Sequence, residues 1–199
     1  MHFFGFKRHK TIKLILLFVV PNSMYIRVKK RSKNDANPKF YAYLVSSKRR
    51  YKKPVQKTLK YLGKVLDLSS HNTTQYNIIN KEEYIQETRY DQIIKDLLKN
   101  ELIQTGFQNI KSSLFLKDDY MIDLSTFTFQ TISKKQFVIK INDGFLCKHT
   151  IKSLINLKFE NKTQKECIKL FTNKLISTGI NIDKELFILL FKKIYLYKN

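Results

Sequence analysis

The chain has 199 residues, with 38 Lys and Arg against 16 Asp and Glu, and a formal charge of +22. That length holds one domain or two small ones, and the 43% hydrophobic content argues against wholesale disorder. Five Gly and three Pro exclude a collagenous or linker-like chain, and two Cys exclude a disulfide framework of the secreted kind.

The composition predicts a folded, cationic chain of a reducing compartment, expected to be cytoplasmic. Lys outnumbers Arg by 32 to 6, and Asn is abundant while Ala is rare, as an AT-rich coding bias would give. Such a bias also raises Glu, which is scarce here, so the imbalance points further, to a polyanion partner.

Met1–Ser23 carries Lys7, Arg8, Lys10 and Lys13 and no acid, followed by the apolar run Leu14–Val20 and Pro21. The pattern resembles a minimal signal segment but falls far short of the ~20 residues that cross a bilayer. The plainest account starts translation at Met24, with a weak signal-like segment, an anchor or a packed element as alternatives. A membrane partner is not expected.

Met24–Val65 holds fourteen cations and one acid, +13 in 42 residues. Met24, Ile26 and Val28 alternate with Tyr25, Arg27, Lys29 and Arg31, as a half-buried strand requires. Ser32–Pro38 reads as a turn. Lys39–Ser46 alternates again, with Phe40, Ala42 and Leu44 on one face and Tyr41, Tyr43 and Val45 on the other. Ser47–Lys53 is a cationic connection, and Pro54–Leu62 a third extended segment closed by Gly63. The three predict an antiparallel meander with one apolar face. Its other face would carry Tyr25, Arg27, Lys29, Arg31, Tyr41 and Tyr43, edged by Lys48, Arg49, Arg50, Lys52 and Lys53, with Lys57 and Lys60 adding phosphate contacts. Cations neutralise phosphates and Tyr rings stack on bases, so the mixture suits DNA or RNA. A solvated face with tyrosines packed across strands is the plainer alternative.

Three stretches of this module, Met24-Tyr25-Ile26-Arg27, Tyr41-Ala42-Tyr43-Leu44-Val45 and Gln56-Lys57-Thr58-Leu59-Lys60-Tyr61-Leu62-Gly63-Lys64, together resemble the N-terminal leader of DDE transposases from insertion sequences. They also resemble short uncharacterised archaeal proteins. In the transposases an Arg commonly precedes the Gln, where this chain has Val55. The resemblance covers a fifth of the chain. It implies a DNA- or RNA-facing module and transfers no activity.

Leu66–Gln130 is net −4. Asn80 and Glu83 form a capping-box signature, and Tyr90, Ile93, Ile94, Leu97, Leu98 and Leu102 recur at helical spacing. One helix is predicted over Lys81–Thr105, its acids on a wet face. Leu114–Leu116 and Tyr120–Leu124 flank the turn Lys117-Asp118-Asp119, and Phe127–Ile132 and Phe137–Ile141 flank Ser133-Lys134-Lys135, which predicts a second antiparallel sheet.

Thr131–Asn199 is net +9. A helix is predicted from Asp143-Gly144 to about Leu157. A second opens on the capping box Thr163-x-x-Glu166 and stops near Gly179, and Asp183 caps a third. The last two could pass for a helix-turn-helix, but the unbroken apolar run Leu186–Phe191 suits a core pair better than a base-reading helix.

Little catalytic chemistry stands beside the charge. Asp118, Asp119 and Asp123 are the nearest approach to a metal-binding acidic group, and they fall on a predicted surface hairpin. Cys147-Lys148-His149 and an isolated Cys167 supply no metal-ligand spacing, and a Cys/His nucleophile pair would lack an orienting group. No Gly-rich phosphate loop occurs. No cofactor, resident metal or small-molecule substrate is expected.

The prediction is an α+β protein: a leader at 1–23, a small three-stranded antiparallel basic β-module at 24–65, and an α+β domain at 66–199 with a long linking helix, a second antiparallel sheet and C-terminal helices. Three functions remain. The first is a non-catalytic nucleic-acid-binding protein, the second a transposase-like relative with metal-dependent nuclease activity, and the third an RNA- or ribosome-associated basic protein.

Overall fold

The structure is a computed structural model that describes residues 23–31, 38–50, 53–68 and 81–197. All of the predicted leader but Ser23, most of the Ser32–Pro38 turn, Lys52 and the Asn80 cap lie outside them.

The chain is α+β, with two sheets and five helices among the described residues. Strands β1 (Ser23–Arg31), β2 (Lys39–Arg50) and β3 (Lys53–Asp67) form the predicted antiparallel meander. Their Val, Ile, Tyr and Phe content favours a pleated, half-covered surface. β3 is irregular. Its pairing with β2 skips Leu62 between Ala42 and Tyr43, and Leu59 between Leu44 and Val45. Each bulge puts two residues opposite one and so resets which face the following side chain takes.

After β3 come α1 (Lys81–Glu87) and α2 (Tyr90–Gln104). The single helix predicted over Lys81–Thr105 is thus two, broken where Arg89 adopts extended backbone. Tertiary contacts stabilise the break. Tyr84 donates to Asp96 at 2.7 Å, and Lys193 Nζ caps the end of α1 through the carbonyls of Ile85 and Gln86, at 2.6 and 2.9 Å. A cation on orphan C-terminal carbonyls is a favourable helix end.

The second sheet is an antiparallel meander of β4 (Gln108–Lys111), β5 (Leu114–Lys117), β6 (Tyr120–Asp123) and β7 (Thr128–Thr131). Its β5–β6 hairpin turns on Asp118-Asp119, as predicted, with Asp118 at φ 50°. Asp tolerates the left-handed region that two-residue hairpins need.

The next strand corrects the prediction. β8 (Phe137–Ile141) does not form a ladder with β7; an isolated bridge, Gln130↔Gln136, just precedes it. Instead it pairs in parallel with β3, from Lys64↔Phe137 to Asp67↔Lys140. The basic strands therefore share a five-stranded sheet, β1-β2-β3-β8-β9, with the later part of the chain. The Asp67–Lys140 ion pair, 2.9 Å, sits on that junction. β8 (Phe137–Ile141) is nearly wholly buried, which suits a strand covered on both faces and obscures its partner in the sequence.

β9 (Gly144–Leu146) occupies the predicted start of a helix. Asn142-Asp143 is instead a hairpin turn, with Asn142 at φ 48°. Gly144 then lies so close to Gly179 that any Cβ would collide with the backbone there, and Asn142 Nδ2 donates to the Gly179 carbonyl at 2.8 Å. The helix begins later, as α3 (Lys148–Ile155).

The last two helices match expectation. α4 (Gln164–Thr178) opens on the reciprocal Thr163–Glu166 box and stops at Gly179, φ 79°. α5 (Lys184–Tyr197) is capped by Asp183, which accepts from Leu186 N at 2.8 Å. Leu186, Leu190 and Ile194 are buried, so α5 packs as a core helix.

One large core joins α2, α3, α4 and α5 to the second sheet and to Phe137, Ile139 and Ile141 of β8. A small second cluster, Ala42, Val138 and Cys147 with Ile26, Leu62, Val65 and Phe145, fastens the other face of the basic strands. Among the described residues no helix is long and apolar enough to cross a membrane.

Candidate nucleic-acid interface

The register sorts the predicted site residues by face. Tyr25 pairs with Val45, Arg27 with Tyr43, Lys29 with Tyr41 and Arg31 with Lys39, so all of these share one face. Arg27, Lys29 and Arg31 are exposed there, and Tyr25, Tyr41 and Tyr43 are half-buried. Arg27 donates to Gln56 of β3 at 2.8 Å, reaching across β2. Val45, which β2 contributes to the same face, is buried.

Tyr61 completes the group, and sequence alternation missed it. It stands opposite Tyr43, its ring centre 5.5 Å from that of Tyr43 and 6.3 Å from that of Tyr41, both tilted. Tilted rings at these separations are favourable aromatic contacts. Tyr61 remains 46% exposed. Burial, then the neighbouring Tyr41 and Tyr43, push its phenol above the ordinary value, and Arg31 pulls it back. It is therefore a neutral hydrogen-bond donor at physiological pH. Lys29 Nζ lies 5.1 Å from the centre of the Tyr43 ring, a cation–π distance.

Beside the tyrosines runs a groove of about 520 Å³. Lys39, Tyr41, Tyr61 and Lys64 form one wall, and Asp119, Tyr120, the turn Thr131–Ser133, Lys135 and Gln136 form the other. Lys64 and Lys39 add charge that the alternation pattern did not assign to the site. The face is a cluster of tyrosines fringed by cations.

The remaining predicted residues are elsewhere. Lys57 pairs with Ser46 and Lys60 with Leu44, and Lys48 follows the same alternation, so all three belong to the opposite face. Lys48 does not edge the tyrosines, which is a correction, and Lys57 and Lys60 do not share their face. Lys60 and Tyr61 diverge by ordinary alternation, and the bulge at Leu59 is the reason Lys57 and Lys60, three residues apart, share a face. Arg49, Arg50 and Lys53 lie on the strand ends where β2 meets β3. Lys52 is outside the described residues.

The alternative chemistries find their residues in other work. The Asp123 carboxylate accepts from Ser125 N and Oγ at 2.8 and 2.6 Å and from Thr126 at 3.1 Å. Burial raises its pKa, but these hydrogen bonds outweigh that and hold it below the ordinary range. It ties down a turn. Cys167 is buried in the large core and Cys147 in the small one, where burial pushes the Cys147 thiol up and away from thiolate. Among the described residues no three His, Cys, Asp or Glu side chains gather as a metal-binding group. In comparison with known proteins, no family model, no curated protein and no solved structure matches the chain.

Proposed function

We propose that the chain is a non-catalytic nucleic-acid-binding protein that takes an unpaired strand on the Tyr face of β1–β3. One observation carries this reading: Tyr41, Tyr43 and Tyr61 cluster on a sheet face whose fringe is Arg27, Lys29, Arg31, Lys39 and Lys64. Bases stack on aromatic rings regardless of sequence, and each stacked base contributes about 1–3 kcal/mol. The fringe lysines and arginines neutralise phosphates, and the adjoining groove gives the backbone a concave path. A duplex hides its base faces and so makes poorer use of such a platform. The likeness of Met24–Val65 to transposase leaders adds a DNA- or RNA-facing expectation without choosing between single and double strands.

The test is binding of the full chain to fluorescent single-stranded DNA, duplex DNA and structured RNA across a salt series, with and without magnesium. Salt-dependent binding with a preference for unpaired strands is expected. No salt-dependent binding to any of them would overturn the proposal. Cleavage that needs magnesium and is lost in Asp119→Asn or Asp123→Asn would replace it with the nuclease reading. Preference for structured RNA over every single strand would replace it with the RNA-associated one.

A further inference from the structure

The three lysines that the register removes from the Tyr face pose a question of their own, and Lys60 answers part of it. It opens onto a second groove, of about 610 Å³, on the far side of the sheet. Five segments line it: β2 gives Leu44, β3 gives Lys60 and Leu62, the stretch Phe127–Gln130 gives two buried aromatic rings, the loop before β8 gives Lys134 and Gln136, and α3 gives Lys148, His149, Lys152 and Ser153 with its C-cap Asn156.

The charge of this groove is one-sided. Four lysines and a histidine line it, and no Asp or Glu does. Some lysines elsewhere do find carboxylates, as in Lys140–Asp67, Lys99–Asp96 and Lys158–Glu160. Among the described residues Lys60, Lys134, Lys148 and Lys152 pair with no carboxylate. Like charges gathered in a concavity with apolar walls focus a positive field, and an anion relieves the repulsion between them. Around the lysines stand short polar groups, the amides of Gln130, Gln136 and Asn156 and the hydroxyls of Thr128 and Ser153. These suit the several oxygens of a phosphate better than a single carboxylate.

We propose that this groove is a phosphate-binding site, separate from the Tyr face, for the phosphate groups of a nucleotide unit. Its ligand chemistry could come from a nucleic-acid strand or from a free nucleoside polyphosphate. The site stands whether or not the Tyr face binds nucleic acid.

His149 is the natural reporter. Burial lowers its pKa, and Lys174 of α4 and Lys60 of β3 lower it further, while Lys148 and Lys152 share the groove with it. Lys174 is itself held below its ordinary value by burial. A bound polyanion reverses the electrostatic part of this, so the imidazole should gain basicity when the site fills.

The experiment is a proton NMR pH titration of the imidazoles of the full chain, with His149 assigned by the disappearance of its signal in His149→Gln. It is run with pyrophosphate, with ATP, and with sodium chloride at matched ionic strength. A rise in the His149 pKa with either phosphate compound, absent with chloride, is expected. At least a tenfold weaker midpoint is expected for the Lys148→Ala/Lys152→Ala double variant. A His149 titration that millimolar pyrophosphate and ATP leave unchanged would overturn the proposal, as would an equal response in the double variant. Two further arms identify the source. Displacement of pyrophosphate by a short oligonucleotide assigns the site to a strand, and failure to displace it assigns the site to free phosphate esters. Tyr61→Ala should weaken oligonucleotide binding without moving the pyrophosphate midpoint, which separates this proposal from the Tyr-face reading.

Discussion

Lys29 and Tyr43 are not direct partners in the β1–β2 ladder, yet the Lys29 ammonium lies 5.1 Å from the centre of the Tyr43 ring. The ladder sets Lys29 opposite Tyr41, so the side chain leans diagonally along the face. The lean places a positive charge against the aromatic platform, where a strand would present a phosphate next to a stacked base. At an exposed site such a contact is worth about 0.5–1 kcal/mol, little enough for a phosphate to recruit the ammonium.

Lys29→Ala should therefore reduce the salt dependence of binding. The slope of log K against log salt is expected to fall by about one for each phosphate left without its cation, with little change between sequences. Arg27→Ala should behave similarly, while also releasing its bond to Gln56. Anisotropy titrations at several salt concentrations supply the slopes. Unchanged slopes in both variants would remove these cations from the interface.

Tyr61→Ala should weaken binding to single strands by about 1–3 kcal/mol, about 5- to 150-fold, if one base stacks there. Tyr61→Phe keeps the ring and should keep most of the affinity. Equal losses in the two variants would make the phenol hydroxyl, not the ring, the point of recognition. Circular dichroism of both proteins guards against a folding defect, since the Tyr61 ring also touches Tyr41 and Tyr43.

Gly63→Ala should destabilise the fold by about 3 kcal/mol or more, within the range of severe single substitutions. Gly63 has φ 127°, a region that side chains rarely enter, and an added Cβ would collide with the carbonyl of Gln136. That carbonyl accepts the Lys64 N–H at 3.2 Å, so the collision falls where the basic strands join β8. Urea denaturation measures the effect. A midpoint within experimental error of the parent would mean that the backbone there relaxes freely.

Asp96→Asn should flatten the decline of stability in acid. Burial raises the Asp96 pKa, but hydrogen bonds from Tyr84, Lys99 and Gln92, at 2.7, 3.0 and 3.0 Å, outweigh that and hold it below the ordinary range. A carboxyl whose folded pKa is depressed stabilises the fold above its unfolded value, about pH 4. The stabilisation is lost as pH falls through the folded value. The variant should be less stable than the parent at pH 7 and close to it near pH 2. Urea midpoints at both pH values decide, and an identical gap at each would assign the effect to packing.

Period-two alternation was enough to find β1 and β2 and to put Tyr25, Arg27, Lys29, Tyr41 and Tyr43 on one face. Capping chemistry located α4 and the start of α5, because Thr163, Glu166, Gly179 and Asp183 act through neighbours in sequence. Features set by distant contacts were not readable. The bulge at Leu62 puts Tyr61 and Lys64 on one face and the bulge at Leu59 puts Lys57 and Lys60 on the other, so β3 has no single alternation to read. The pairing of β8 with β3 rather than β7 depends on a strand buried on both faces, whose apolar run names no partner. The break at Arg89 goes with contacts from Asp96 and Lys193 that hold α1 from elsewhere in the chain.

The parallel junction of β3 and β8 also sets an order of events during synthesis. Asp67 and Lys140, which meet there, are 73 residues apart in the chain. Closing a loop of that length costs about 4 kcal/mol of chain entropy beyond a constant. At ~5–20 residues per second, the ribbon of β1–β3 emerges roughly 4–15 s before its partner strand. Through that interval Ala42, Leu62 and Val65 lack the cover of Val138, Cys147 and Phe145, and β3 presents an open edge. The ribbon's own positive charge then disfavours edge-to-edge pairing, since cationic strands repel one another. The charge that we propose suits this surface to a polyanion would thus also limit self-association until β8 arrives.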